Sequence, residues 1–153
     1  MSITVREDDL THAAVQDLLA LHLRGMRDSS PPGGVFALDL SGLRDPAVTV
    51  FSAWDGDRLA GIGALKALGD GAGEVKSMRT HPDHLRRGVG ARLLDHIIAR
   101  ARSRGLRRLS LETGSGPAFE PALALYRRRG FVDGGPYAAY EQNSFSRFLH
   151  LSL

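Results

Sequence analysis

The segment His81-Pro82-Asp83-His84-Leu85-Arg86-Arg87-Gly88-Val89-Gly90-Ala91 lies between a strand-like run and an amphipathic helical run, and its residue types suit the binding of an anion. Gly88 and Gly90 let the backbone come close to a ligand, Arg86 and Arg87 add positive charge, and the first turn of the following helix offers N–H groups with no partner inside the helix. Glycines also end strands and start helices for purely steric reasons, so this turn takes its meaning from the elements around it.

Those elements must come from a chain of 153 residues that is 42% hydrophobic, enough to build a core without metal or disulfide support. The chain has no cysteine, which removes disulfides, thiol catalysis, iron–sulfur clusters and Cys-based zinc sites together and suits a reducing cytoplasm. Its six histidines show no metal-ligand spacing, and no metal is expected. The N-terminus lacks a basic stretch followed by an apolar run, and no segment approaches the about 18 apolar residues of a membrane span. Secretion and a membrane partner are not expected. A formal charge of +3 favours anionic ligands only mildly. The triplet Arg127-Arg128-Arg129 lacks the interleaved aromatics of a nucleic-acid patch and suits a helix C-terminus, so no nucleic-acid partner is expected.

Residues 1–153 read as one mixed α/β domain without repeat or linker. Ile3 to Arg6 reads as a short strand, and Asp8, Asp9 and Thr11 offer caps for a helix running to about Arg27. Val15, Leu18, Leu19, His22, Leu23 and Met26 form its apolar stripe, on which His22 is expected to be a core histidine with a satisfied ring rather than a group facing an acceptor pocket. Ser29-Ser30-Pro31-Pro32-Gly33-Gly34 breaks regular structure. Thr49 to Trp54 and Arg58 to Leu68 read as a hairpin about Asp55-Gly56-Asp57, and Glu74 to Thr80 as the next strand.

A helix from about Gly88 to Arg104 places Val89, Leu93, Leu94, Ile97, Ile98 and Ala101 on one face, and Arg108 to Thr113 alternates as a strand. Strand, helix and strand predict a parallel crossover. Pro121 fits the first turn of a further helix ending at Gly130-Phe131, and a last strand is expected around Phe145 to Leu151.

Two regions carry a resemblance. The run Glu74-Val75-Lys76-Ser77-Met78-Arg79-Thr80, followed by Arg86-Arg87-Gly88-Val89-Gly90-Ala91, is similar to the acyl-CoA-binding motif of the GNAT superfamily of N-acetyltransferases. Ala122-Leu123-Ala124-Leu125-Tyr126-Arg127-Arg128-Arg129-Gly130-Phe131 resembles that family's A-x-x-L-Y-x-x-x-G-F helix and exit. The resemblance covers nearly the whole chain and looks like a bacterial, small-molecule branch. It implies a mostly antiparallel central sheet with one splayed parallel strand pair and flanking helices. It also implies acetyl-CoA as cosubstrate and a small-molecule amine as acceptor, and dimers are common in the family. Two positions depart from the family's pattern: Leu85 stands where members carry Gln or Arg, and Phe119 where many place Asn.

Acetyl transfer to an amine needs a neutral nucleophile, a polarised thioester carbonyl and a proton for the departing thiolate. The resemblance implies Glu74 as base, acting through water, because it lies 14 residues before Gly88, the spacing of the catalytic glutamate in histone-acetyltransferase members of the family, with Glu112 as second candidate. The plainer reading of Glu74 is a strand-start charge or a partner of Lys76. Tyr126 falls at the family's usual general-acid position, although an amphipathic helix tyrosine also packs in a core. Met78, Arg79 and Thr80 are expected to give backbone hydrogen bonds to the pantetheine arm near a bulge, and the amides of Arg86, Arg87, Gly88, Val89, Gly90 and Ala91 to hold the pyrophosphate. Arg24, Arg27, Lys76 and Arg79 suit a carboxylate-bearing acceptor, or simply a solvated face. Two rival expectations are a non-catalytic acyl-CoA-binding module and, less favoured, a basic nucleic-acid-binding domain.

Overall fold

Gly56 takes the left-handed conformation (φ +61°) that the tight turn requires, and joins strand β2 (Val48–Asp55) to β3 (Arg58–Gly69) as the expected antiparallel hairpin. A computed structural model describes residues 2–153. The other elements are β1 (Ile3–Asp8), α1 (Ala13–Ser29), a one-turn α2 (Leu40–Leu43), β4 (Ala72–Thr80), α3 (Val89–Ser103), β5 (Arg108–Thr113), α4 (Glu120–Arg128), β6 (Val132–Gly134) and β7 (Arg147–Ser152). The seven strands form one sheet in the order β1-β2-β3-β4-β5-β7-β6.

Alternation along the strands sends side chains to two apolar layers. Val50 and Trp54 of β2 pack with Val15, Leu18 and Leu19 of α1. Phe51 and Ala53 of the same strand pack with Leu93, Leu94 and Ile97 of α3, a layer that also holds Leu123 and Tyr126 of α4. The sheet thus carries α1 on one face and α3 with α4 on the other.

Every strand pairing is antiparallel except that of β4 with β5, joined through α3. That parallel pair has three matched positions only, Ala72 with Arg108, Gly73 with Leu109 and Glu74 with Ser110. Beyond Glu74 the two strands part and leave a fork. On the other edge of β4, Ile62 faces Arg79 and Ala64 faces Lys76, so Ser77 and Met78 together oppose Gly63 in a bulge, with Ser77 at φ +57°. Helix α3 lies so close to β3 that a Cβ at Gly61 would stand 2.9 Å from Val89 Cγ1 and 3.0 Å from the Arg79 carbonyl oxygen. Gly61→Ala is therefore expected to cost about 1–3 kcal/mol of stability, read as a lower urea midpoint at unchanged slope.

Three local expectations change. The cap of α1 is His12, whose Nδ1 accepts from the Ala14 N–H at 3.0 Å. Asp8 and Asp9 instead accept the N–H groups of Leu10 and Thr11 at 2.8 and 3.1 Å and turn the chain before the helix begins. Strand β6 and helix α2 were not expected from the pattern, being three and four residues long.

Candidate active site

Where β4 and β5 part, a cavity of about 190 Å³ opens, bounded by α1, the segment around Phe36, both strands, α4 and Phe145. Its wall includes Glu112 near the end of β5 and Tyr126 of α4. Glu112 Oε2 is buried without a hydrogen-bond partner among the described residues, as is the neighbouring Ser146 hydroxyl oxygen. Burial pushes the Glu112 carboxyl above the ordinary carboxylate range, partly offset by the nearby Ser146 hydroxyl, which stands outside hydrogen-bond geometry, and by the Lys76 charge. Tyr126 is 7% exposed, packs edge-on against Phe131, and is pushed above the ordinary phenol range by burial.

Glu74 is placed differently. It is level with Ser110 in the last paired row of the sheet, whereas Glu112 is two residues further along β5, where the strands have separated. The Tyr137 and Tyr140 hydroxyls both donate to Glu74 Oε2 at 2.6 Å, and Lys76 Nζ stands 3.5 Å away. Lys76 Nζ also reaches the Tyr140 hydroxyl at 3.0 Å and the Phe36 carbonyl at 3.3 Å. Glu74 is thus enclosed by the loop after β6, and Glu112, not Glu74, lines the cavity. Burial, and then the charge of Glu74 and the hydrogen bond to it, push both tyrosines above the ordinary phenol range.

His22 meets only part of its expectation. The ring is buried, as a core histidine should be, but its Nδ1 has no partner among the described residues and the side chain lines the cavity. Burial, followed by the Arg79 charge, pulls its pKa down to about 4. The unfolded chain, with histidine near 6.5, then takes up a proton before the folded one does. Stability from this group is complete above about pH 6.5 and falls as the pH drops toward 4. Urea unfolding at pH 7 and pH 4.5 is expected to show a His22→Gln variant losing less stability than wild type, by on the order of 2–3 kcal/mol.

The glycine loop has the backbone expected of an anion cradle. Arg86 (φ +62°) and Gly88 (φ +78°) both turn left-handed, and Gly88 starts α3 without any side-chain cap. The first N–H groups of α3 therefore have no side-chain cap. Arg86 and Arg87 are exposed, Val89 is buried and anchors the helix, and Ala91 is half-buried. Gly90 has a separate packing role, since a Cβ there would stand 3.3 Å from Leu125 of α4. Leu85 is 57% exposed and offers no polar contact. His84 is buried with Nε2 3.3 Å from Asp55, and His81 caps the turn at Pro82–His84, so both are structural.

Of the strand residues, Met78 directs its sulfur toward Gly63 and Ile97 on the α3 side, while the Arg79 guanidinium packs beside Gly25 of α1. Thr80 Oγ1 faces the start of α3 near Gly90. Phe119 is buried against Phe145, so an apolar contact occupies that position. Arg127 and Arg129 are tied to Asp133 and Asp95 at 2.9 and 2.7 Å, which uses two of the three arginines in surface pairs. No local sequence signal singles out Tyr137 and Tyr140, which follow the turn-forming residues Gly134-Gly135-Pro136. Among the described residues no group of three His, Asp or Glu side chains is disposed to hold a metal ion.

A splayed parallel pair whose first strand is bulged, followed by an uncapped, glycine-led helix, defines the class of acyl-CoA-dependent acyltransferase folds. The model of the acetyltransferase (GNAT) family matches residues 15–131, and the chain belongs to this family. It is 53% identical over 150 residues to the uncharacterized N-acetyltransferase YedL of Escherichia coli (strain K12), covering 98% of this chain and 94% of that one. It is 50% identical over 149 residues to the uncharacterized N-acetyltransferase YsnE of Bacillus subtilis (strain 168), covering 97% and 99%. Among solved structures, a Bacillus subtilis acetyltransferase in complex with CoA superposes with a TM-score of 0.75 at 19% identity, covering 99% of each chain, which shows a shared fold.

Proposed function

We propose that this chain transfers an acetyl group from acetyl-CoA to the primary amine of a small molecule, by direct attack of the amine on the thioester. The observation that carries this reading is the cavity at the β4/β5 fork, whose wall holds both a buried carboxyl with an unpartnered oxygen and a buried phenol. A cysteine-free chain in which no described helix is long and apolar enough to cross a membrane suits the cytoplasm, where acetyl-CoA is made available.

The arriving amine is an ammonium group near pKa 10.4 and must lose a proton to attack. Glu112 is the base in this account, because it faces the cavity and burial raises its proton affinity toward the working pH. Glu74, the base implied by family position, is better suited to holding the two tyrosines and Lys76. The amine lone pair forms the C–N bond, the carbonyl oxygen takes up charge beside a backbone N–H near Met78, and the C–S bond then breaks. Tyr126 protonates the departing thiolate, and the second proton of the attacking nitrogen, released as the amide forms, passes through water and restores the phenol. The amides of Arg86 to Ala91 bind the pyrophosphate, with Arg86 and Arg87 adding charge and the backbone of Met78 to Thr80 aligning the pantetheine arm.

The test is thiol release from acetyl-CoA across a panel of primary amines, with the acetylated product identified by mass. Turnover with at least one amine is expected, and Tyr126→Phe is expected to lower kcat by about 10²-fold. Saturable CoA binding without thiol release from any amine would instead identify a non-catalytic acyl-CoA-binding module. Full Tyr126→Phe activity at every pH would remove the tyrosine from the reaction.

A further inference from the structure

The cavity contains a cation with no anion to match it. Arg79 leaves β4 toward α1, and its guanidinium lies against Gly25, where a Cβ would stand 2.9 Å from one of its nitrogens. Gly25 therefore makes room for that group. Among the described residues Arg79 forms no ion pair within 4.0 Å, although it is half-buried and lines the cavity. Lys76, the other cation of this wall, is engaged by Glu74, Tyr140 and the Phe36 carbonyl. Arg24 and Arg27, on the same helix as Gly25, are exposed and do not line the cavity.

Beside Arg79 is His22, 5% exposed, lining the same cavity with Nδ1 unpartnered. A buried ring nitrogen without a partner costs stability unless a ligand meets it. His22 lines the cavity from α1 and Arg79 from β4 with its guanidinium against α1, whereas Glu112 lines it from the end of β5. Met26, Phe36, Phe119 and Phe145 supply apolar lining.

We propose that Arg79, with His22 Nδ1 as a second donor, binds a carboxylate of the acceptor, so that the acceptor is a primary amine also bearing a carboxylate on an apolar body. The inference rests on the function proposed above and narrows its substrate class. A planar guanidinium grips a carboxylate through two charge-assisted hydrogen bonds, and the neutral His22 donates a third through its Nδ1–H tautomer. The carboxylate supplies the charge that Arg79 lacks within the protein. With the acid end fixed on the α1 side, the amine is free to reach Glu112.

Calorimetric binding of matched pairs to the CoA-saturated protein tests this apart from turnover. The pairs are N-acetyl-L-leucine with N-acetyl-L-leucinamide, N-acetyl-L-phenylalanine with its amide, and N-acetyl-β-alanine with its amide. At least one acid is expected to bind tenfold or more tighter than its amide. Arg79→Gln is expected to abolish that preference, and Arg79→Lys, which keeps the charge but loses the fork, to retain part of it. Equal binding of acid and amide in every pair, or a preference that survives Arg79→Gln, overturns the inference while leaving CoA binding and thiol release as the separate tests of the proposed function. His22→Gln is expected to reduce the acid preference by a smaller factor; a preference larger than wild type's would remove His22 from the subsite.

Discussion

Glu112→Gln is expected to lower kcat/KM for the acetylated amine by about 10²- to 10⁴-fold, the range for losing a positioned general base. The amide keeps the side chain's size and its acceptor oxygen, so CoA affinity and thermal stability are expected to stay close to those of wild type. The pH dependence should change as well. Burial holds the Glu112 carboxyl above the ordinary carboxylate range, so the wild-type rate should rise with pH through a step above that range as the carboxylate forms. In Glu112→Gln that step should vanish, leaving a rate set by the free fraction of the amine. Initial rates of thiol release between pH 5 and pH 9 decide the matter. An unchanged profile in the variant would return the proton to Glu74 through water, or to bulk solvent.

Glu74→Ala is expected to act on stability more than on chemistry. Its Oε2 receives two phenol hydroxyls at 2.6 Å and faces Lys76 at 3.5 Å, and the Glu74 and Lys76 side chains are only 4% and 9% exposed. Removing the acceptor leaves the donors of Tyr137, Tyr140 and Lys76 without it in a largely buried cluster. Loss of one partner from a buried charged cluster costs about 3–5 kcal/mol, readable as a lower urea midpoint. Glu74→Gln retains an acceptor oxygen and should cost less, about 1–2 kcal/mol. The loop after β6 is fastened to the sheet by this cluster, and Tyr140 in turn stacks edge-on against Phe36 at 5.2 Å. Release of that loop would loosen the Phe36 wall of the cavity, so a moderate rise in KM for the amine should accompany the loss of stability. Complete loss of turnover in Glu74→Gln with unfolding unchanged would contradict this and make Glu74 the base.

The contrast between these two glutamates shows what the sequence reveals and what it hides. Strand alternation, the Asp55-Gly56-Asp57 turn and the apolar face of α3 are local signals, and each element they imply is present. The left-handed Gly88 at the start of α3 is likewise local, because only its own backbone needs the conformation. The surroundings of Glu74 are not local. Its two phenol donors come from 63 and 66 residues away, on a loop with no regular period to place them. The same holds for His22, whose position on an apolar stripe predicts burial but says nothing of whether its nitrogens find partners. The point at which β4 and β5 separate decides that Glu112 opens on the cavity and Glu74 does not, and it depends on pairing between strands linked by a whole helix.

The most direct measurement of the central claim is a crystal structure of the protein with CoA bound. The pyrophosphate is expected on the backbone N–H groups between Arg86 and Ala91, the pantetheine arm along Met78 to Thr80, and the thiol inside the fork beside Tyr126. A pyrophosphate seated elsewhere, or a thiol directed to solvent away from Tyr126 and Glu112, would contradict it.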